Sequence, residues 1–410
     1  MSTVLSWVLN IFLETAFVWM PILLGIIFFY SFRSWKRNYF MNEKLQYALL
    51  EINIPRDVHR SPQAMEVVID AMYYLGGGAM TWQERFWFGA VLYPSSLEIV
   101  SIEGSVYFFI RTSTKLAAGV KSAIYSQYPD AEVNEVDDYT RYVPDYNKNS
   151  DTWQLNALDY KLTNEVFLPI KTYVDYGLDV AVGKLEEEEK IDPLAPVLEF
   201  LGTLGPGEQA WIQYVIRGDA FSHWRQKAKD YIEKLMSKTQ GGSDDEDDRS
   251  FGRQLSSGEK EHIRGIERSL SKHAFQCVIR TIYLARKENF NKSVKGYLKS
   301  SLFLPFSSNY FNGIRKNSET SYDWVWEDIT GLRFPILKRR FFNDYIERAG
   351  FHESFWRYVN IIWYKSRRPE VVLTSEELAT LFHVPGQVAK ASGVERIEAT
   401  KSEAPNNLPF

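Results

Sequence analysis

Cysteine is nearly missing from this chain: Cys277 stands alone among 410 residues. One thiol excludes an intrachain disulfide scaffold and a cysteine-based zinc site. The signatures of several chemistries are missing too. A phosphate-binding loop needs G-x-x-x-x-G-K-[ST]. The nearest fragment, Gly183-Lys184-Leu185, has neither the hydroxyl for Mg²⁺ nor the correctly spaced first glycine. No G-x-S-x-G nucleophile elbow occurs. The six histidines, His59, His223, His262, His273, His352 and His383, form no H-E-x-x-H or other tight metal spacing. His262 and His273 flank an expected helix, where surface or capping duty competes with a ligand role. Cys277 lies in an apolar run and reads as a small core residue, with a reactive thiol as the alternative. No catalytic, cofactor or metal residue is assigned, and the chain is expected not to be an enzyme.

Net charge is also small, −4 from 48 Lys and Arg against 52 Asp and Glu. The mean hides a division. Residues 258–370 carry 21 basic and 12 acidic side chains, whereas 151–257 carry 12 and 20 and 41–150 carry 9 and 14. A basic block beside acidic ones implies contact with something anionic, or contact between the blocks. The 45% hydrophobic content is enough for packed cores and excludes global disorder.

The N-terminus holds the one long apolar run. Ala16 to Phe32 reads AFVWMPILLGIIFFYSF without a charge, and Glu14 is the only charge before Arg33. That length lies at the short end for a membrane-spanning helix. Trp7, Trp19 and Trp35 suit interfacial anchoring, and Pro21 sits near one end, where a kink is tolerated. Arg33, Lys36, Arg37 and Lys44 follow the run, and no Lys or Arg precedes it. The positive-inside rule then predicts a single-pass protein of the cytoplasmic membrane with the bulk of the chain in the cytoplasm. A cleaved signal peptide is the competing reading. It is disfavoured because the basic n-region and a small-residue cleavage site are both missing.

Beyond residue 40 the pattern is α/β. Leu45–Ile54 reads as a strand. Ser61-Pro62 opens a helix with Met65, Val68, Ile69 and Met72 on one face, ended by Gly76-Gly77-Gly78. Ser96–Ile102 and Val106–Thr112 read as a hairpin about Glu103-Gly104. A helix with Leu116, Val120 and Ile124 follows, then a short strand at 131–136. The order β-α-β-β-α-β is the ferredoxin-like plan. A second module is expected from Trp153: a strand, a helix after Asp192-Pro193, the strand Ala210–Arg217, a helix opened by the Ser256/Glu259 capping box, the strand Phe275–Arg286, and a helix with Val294, Leu298 and Leu302. Its last strand is placed at Glu370–Leu373. The expected fold class is therefore α+β: a transmembrane helix followed by two ferredoxin-like (α/β-plait) modules, the second with long insertions. The segments are 1–40 with the spanning helix, 41–150 and 151–386 as the two modules, and 387–410 as a linker-like tail. Within the second module, 239–250 is an acidic loop and 305–369 a basic, aromatic-rich insertion. The acidic run Glu186–Glu189 reads as a wet face.

The candidate partner-binding residues are Lys338, Arg339, Arg340, Lys365, Arg367 and Arg368. They are interleaved with Trp324, Trp326, Phe341, Phe342, Tyr345, Trp356 and Trp363. Such a block suits single-stranded nucleic acid, anionic lipid, or an ordinary amphipathic layer with aromatics inward and charges solvated.

Several phrases carry a family likeness: LLEINIPRDVHRSPQAME (49–66), SLEIVSIEGSVYFFIRT (96–112), IYSQYPDAEVNEVDDYT (124–140), DPLAPVLEFLGTLGPGEQAWIQYVIR (192–217), TSEELATLFHVPG (374–386) and the closing NNLPF. The chain resembles the membrane-anchored N-terminal region found ahead of HerA-like ATPase domains in bacterial type IV secretion and conjugative coupling-type proteins. The likeness implies a non-enzymatic, single-pass component of a secretion or DNA-transfer machine that positions a motor ATPase. Because the sequence stops at Phe410, the expectation is that the ATPase is a separate chain or that this protein is an ATPase-free relative. The implied partners are membrane lipid through the N-terminal helix, a HerA-like ATPase, nucleic acid or anionic lipid at the basic block, and other copies or components of a complex. A membrane-tethered nucleic-acid-binding protein and an envelope scaffold unrelated to transport are the alternatives.

Overall fold

The computed structural model describes residues 14–40, 45–53, 60–76, 81–87, 92–142, 152–179, 191–219, 223–240, 255–308, 310–321, 325–329, 331–351 and 371–385. The chain forms two units. The first comprises Met1–Gln46, Ala79–Val91 and Phe351–Lys365. Its main described element is helix α1, Ala16–Tyr39. Ala16–Arg37 has mean hydropathy 1.7 with none of its apolar window buried, long and apolar enough to cross a membrane. Apolar rings and chains point outward all along it, Phe17 at 79% and Phe28 at 70% exposure. Phe28, Phe32, Trp35 and Tyr39 form a ladder of neighbouring rings about 6 Å apart. Lys36 and Arg37 occupy the last turn, where cations complement the helix dipole.

The second unit is Tyr47–Gly78, Leu92–Gly350 and Ser366–Phe410. Its described strands are β1 (Tyr47–Asn53), β2 (Ser95–Ile102), β3 (Ser105–Ser113), β4 (Glu132–Val136), β5 (Trp153–Leu162), β6 (Glu208–Gly218), β7 (Ala274–Arg286), β8 (Ile314–Glu319) and β9 (Val371–Thr374). They make one nine-stranded antiparallel sheet in the order β4-β1-β3-β2-β6-β7-β5-β8, with β9 on the start of β7. The β2–β3 turn places Glu103 and Gly104 at positive φ, 52° and 91°, as the short hairpin requires. Pairing of β2 with β6, for example Val100 with Trp211, makes the sheet continuous across both expected modules.

The helices of this unit follow from the apolar spacing. On one face, α2 (Gln63–Gly76), α4 (Thr114–Gln127), α5 (Ala195–Gly202), α8 (Lys292–Ser300) and α10 (Ser375–Leu381) bury Met65, Ile69, Val120, Ile124, Leu198, Leu298 and Leu378 against the sheet. (The short helix α3, Trp82–Trp87, belongs to the first unit.) On the opposite face, α9 (Arg333–Ile346) packs Leu337, Phe341, Phe342 and Tyr345 onto Val100, Trp211, Ile282 and Leu284. A third cluster joins α6 (Trp224–Gln240) and α7 (Ser257–Leu270) through Trp224, Ala228 and Ile266. The expected capping box at Ser256 and Glu259 is formed at the start of α7.

Two expectations need correction. The strand placed at 370–373 exists as β9, but it pairs with β7 and does not close the sheet beside β5. The strand beside β5 is β8, inside the segment read as insertion. Its sequence IRKNSE has one apolar residue and no alternation, so periodicity conceals it. That same segment also contributes α9, which covers the sheet. His262 lies within α7 rather than beside it, its ring 6.0 Å from Phe311. The runs 186–189 and 387–410, and the acidic loop from residue 241 on, lie outside the described residues.

Candidate functional site

Lys338, Arg339 and Arg340 are consecutive on α9, so the helix turns them in three directions. Arg339 is exposed. Arg340 Nε lies 3.7 Å from Asp344 Oδ2 one turn on. Lys338 is half-buried and lines a pocket of about 420 Å³. Its Nζ sits 4.3 Å from the centroid of the Phe334 ring. Lys365, Arg367 and Arg368 lie outside the described residues. The basic run is thus not one patch: one member faces a cavity, one faces solvent and one is ion-paired.

The pocket gathers residues far apart in sequence. Trp153 and Asn156 come from the start of β5, Lys287 and Phe290 from beyond the end of β7, Lys295 from α8, and Thr320 and Ser321 from beyond β8. Three ammonium groups therefore border one cavity with aromatic walls. Behind it, Glu319 is 2% exposed and receives Lys295, Lys316 and Lys299 at 2.9, 3.1 and 3.3 Å. Burial alone would raise this carboxyl, but the hydrogen bonds and charges of Lys295 and Lys316 hold it far below the usual carboxylate range. Lys338 is shifted down, by its own burial and then by the neighbouring charge of Lys295.

Two polar groups at the wall are incompletely used. Asn156 is 3% exposed; its Nδ2 donates to Glu319 Oε1 at 3.4 Å and lies 3.5 Å from Thr320 Oγ1, while its Oδ1 is buried with no partner. A carboxylate only accepts, which fixes which end of the amide faces Glu319. Thr320 Oγ1 accepts from Ala157 N–H at 2.9 Å, and its own proton has no acceptor among the described residues.

A buried network lies at the end of α9. Arg348, 3% exposed, grips Glu98, 0% exposed, with Nε and Nη2 at 3.0 and 3.1 Å, and also pairs with Asp138. Ser96, Tyr139 and Gln213 donate to the same carboxylate at 2.6, 2.8 and 3.1 Å. Arg280 pairs with Asp159 at 3.2 Å and donates to the carbonyls of Asp344 and Ala349. Burial opposes every charge here. The Arg348 guanidinium nonetheless keeps Glu98 below its ordinary value, and Glu98 in turn raises Arg348. The members satisfy one another, which makes the network rigidifying.

Of the other singled-out residues, His59 and His352 lie outside the described residues. Cys277 is buried in β7, and burial pushes its thiol well up, which keeps it protonated. His273 Nδ1 is 2.9 Å from Asp70, and His383 is buried between Asp192 and the Ala379 carbonyl. Among the described residues no group of three or more His, Cys, Asp or Glu is placed to hold a metal ion. Sequence reading missed Asn156, Lys287, Lys295 and Thr320. The one available signal was the spacing Lys292, Lys295, Lys299, which rows lysines along α8.

In comparisons with known proteins, no family model and no curated sequence matches this chain.

Proposed function

We propose that this chain is a non-enzymatic, membrane-anchored organiser of a larger assembly, a spanning helix followed by two ferredoxin-like modules. The observation that carries the reading is α1, whose apolar window is left unburied and which carries Arg33, Lys36 and Arg37 in its last turns. Such a surface is stable only in lipid or against another protein. The two modules are supported by connectivity: β4-β1-β3-β2 with α2 after β1 and α4 after β3, and β8-β5-β7-β6 with α5 after β5 and α8 after β7. The two halves meet through β2 and β6 and leave one broad double plait. The cationic flank after α1 supports a cytoplasmic side for this body. There it positions a partner, for which the family likeness points to a separate motor ATPase of a secretion or DNA-transfer machine.

The test is fractionation of the full chain. It should stay in the membrane pellet through alkaline carbonate, keep its original N-terminus, and carry a C-terminal reporter that reads cytoplasmic. A new N-terminus after the apolar run identifies a cleaved signal sequence, which the same length and composition would suit, and overturns the anchor. Detergent purification should then recover an ATPase of the HerA type; recovery of nucleic acid alone would favour the tethered nucleic-acid binder.

A further inference from the structure

We infer that the outer face of α9 and the turn before it dock on an anionic lipid surface, with Trp326, Ile329, Leu332 and Ile336 entering the headgroup layer and Arg339 meeting lipid phosphates. The inference rests on the reading of α1 as a membrane anchor. Those four apolar side chains are 54–80% exposed. Leu332 and Ile336 lie one helical turn apart, on the side of α9 away from the buried Leu337, Phe341 and Tyr345. Trp326 and Ile329 belong to the segment that leads into the helix, and Asp328 pins that segment. Its carboxylate accepts from the N–H groups of Arg333 and Phe334 at 3.1 and 2.8 Å, and its carbonyl accepts from Gly331 N–H at 3.2 Å. The apolar side chains are thus presented on a fixed scaffold, which lowers the ordering cost of docking. Farther along the outer stripe come Arg339, Asn343 and Glu347, all exposed. Polarity rises from the start of the helix to its end, the pattern of a helix that enters an interface start first.

Charge selects this face for lipid. Trp326 to Arg340 hold four basic side chains against two acidic ones, and one of those acids is the capping Asp328. Helix α2 also exposes Val67, Tyr74 and Leu75, but Gln63–Gly76 has two acids and no base, which an anionic leaflet repels. The side-chain types suit the depth as well: an indole favours the headgroup level, and an arginine stem lies along apolar surface while its guanidinium reaches phosphate. Chain connectivity supplies the proximity. Residues 40–46 alone separate α1 from β1. A segment of that length reaches at most about 25 Å, short beside the roughly 50 Å breadth expected of a unit of about 300 residues. With α1 in the bilayer, the second unit therefore stays beside the lipid surface.

The test uses the full chain in nanodiscs of phosphatidylcholine and phosphatidylglycerol, in a Cys277→Ala background whose melting temperature matches the wild type. Single nitroxide labels are placed through Ile336→Cys, Leu304→Cys and Phe28→Cys, and their collisions with oxygen and with a water-soluble nickel chelate are measured by electron paramagnetic resonance. Leu304 is exposed but lies beside Phe303 and Phe306 of the cluster on the other face of the sheet. The Ile336 label should meet oxygen and be shielded from nickel, as in lipid, whereas the Leu304 label should meet nickel freely. Ile329→Ser with Leu332→Ser should return the Ile336 label to water without lowering the melting temperature, because both side chains are exposed. Arg339→Gln should cut the ratio of docked to undocked label about fivefold, the weight of one cation near an anionic surface, and replacing phosphatidylglycerol by phosphatidylcholine should act in the same direction. An Ile336 label as open to nickel as the Leu304 label, with the Phe28 label in lipid, would overturn the docking face and leave the anchor standing. A Phe28 label in water would overturn the anchor and the docking face with it. An Ile336 label shielded from oxygen and nickel alike would mean that protein, a second copy or a partner, covers the face, and would overturn the lipid assignment. So would a docked fraction indifferent both to Arg339→Gln and to phosphatidylglycerol.

Discussion

The ion pair under α9 gives the sharpest quantitative test, through the substitution Arg348→Met. Arg348 and Glu98 are 3% and 0% exposed at the side chain, so the carboxylate cannot rehydrate when its partner is removed. Breaking a buried pair on one side costs about 3–5 kcal/mol, because the remaining charge is left uncompensated. Three neutral donors, Ser96, Tyr139 and Gln213, still serve Glu98, which argues for the lower half of that range. Arg348 also sits at φ 50°, but methionine inherits that strain unchanged, so the comparison isolates the side chain. For a cooperative unit of about 300 residues, unfolding entropy near 2.1 cal/mol/K per residue converts 3–5 kcal/mol into roughly 5–8 °C of melting temperature.

The pH dependence of the variant adds a sign. In the wild type, burial pushes Glu98 up but Arg348 and the hydrogen bonds prevail, and its pKa lies below the ordinary value. Without Arg348 burial is opposed only by the hydrogen bonds of the neutral donors, and the folded pKa should rise above the unfolded one. The folded state then binds more protons than the unfolded state between those two values, so stability falls as pH rises through that window. The variant should therefore regain part of its loss near pH 5 relative to pH 8. Adding Glu98→Gln to Arg348→Met should also restore stability, since it removes the stranded charge. The readout is thermal unfolding of the full chain in detergent, followed by the near-ultraviolet signal of the cluster around Trp211, whose ring lies 5.3 Å from Tyr345. A loss below about 1 kcal/mol, or a double variant no better than the single one, would refute the reading of Glu98 as a buried, Arg348-dependent anion.

Two further outcomes follow. Gly104→Ala should destabilise by about 1–3 kcal/mol in urea unfolding, because φ is 91° and a Cβ there would stand 2.8 Å from the Leu204 carbonyl oxygen; an unchanged midpoint would contradict the turn geometry. His383 donates to Asp192 and to the Ala379 carbonyl, and although burial disfavours its charge, Asp192 raises its pKa above the ordinary value. Its stabilisation is present in full below about pH 6.5, the unfolded value, and is lost as pH rises through the folded pKa, with a slope of up to about 1.4 kcal/mol per pH unit. His383→Gln should flatten that alkaline decline in a pH series of melting temperatures, and an identical slope in both proteins would refute it.

What the residues disclosed in advance was local. The hairpin at Glu103-Gly104, the stop after Gly76 and the capping box at Ser256 are signals carried within a few positions, and the strands they bound fall within a few residues of expectation. What stayed hidden depends on pairs distant in the chain. The run LKRR hides that α9 buries Leu337, Phe341, Phe342 and Tyr345, because its charges are the louder pattern. Glu376 and Glu377 look like a solvated helix start, yet both are buried: Arg268 Nε, from 108 positions earlier, reaches Glu376 at 3.0 Å, and Glu377 accepts from Ile170 N–H at 2.8 Å. The site obeys the same rule. Six residues were nominated by density of charge along the chain, but a ligand meets density in space. Helix periodicity leaves Arg339 outside and turns Lys338 inward, and the end of β7 and helix α8 bring Lys287 and Lys295 to the same cavity. Contiguity on a helix scatters charge around its axis, so a cationic pocket is built from separated lysines, each fixed by a different element.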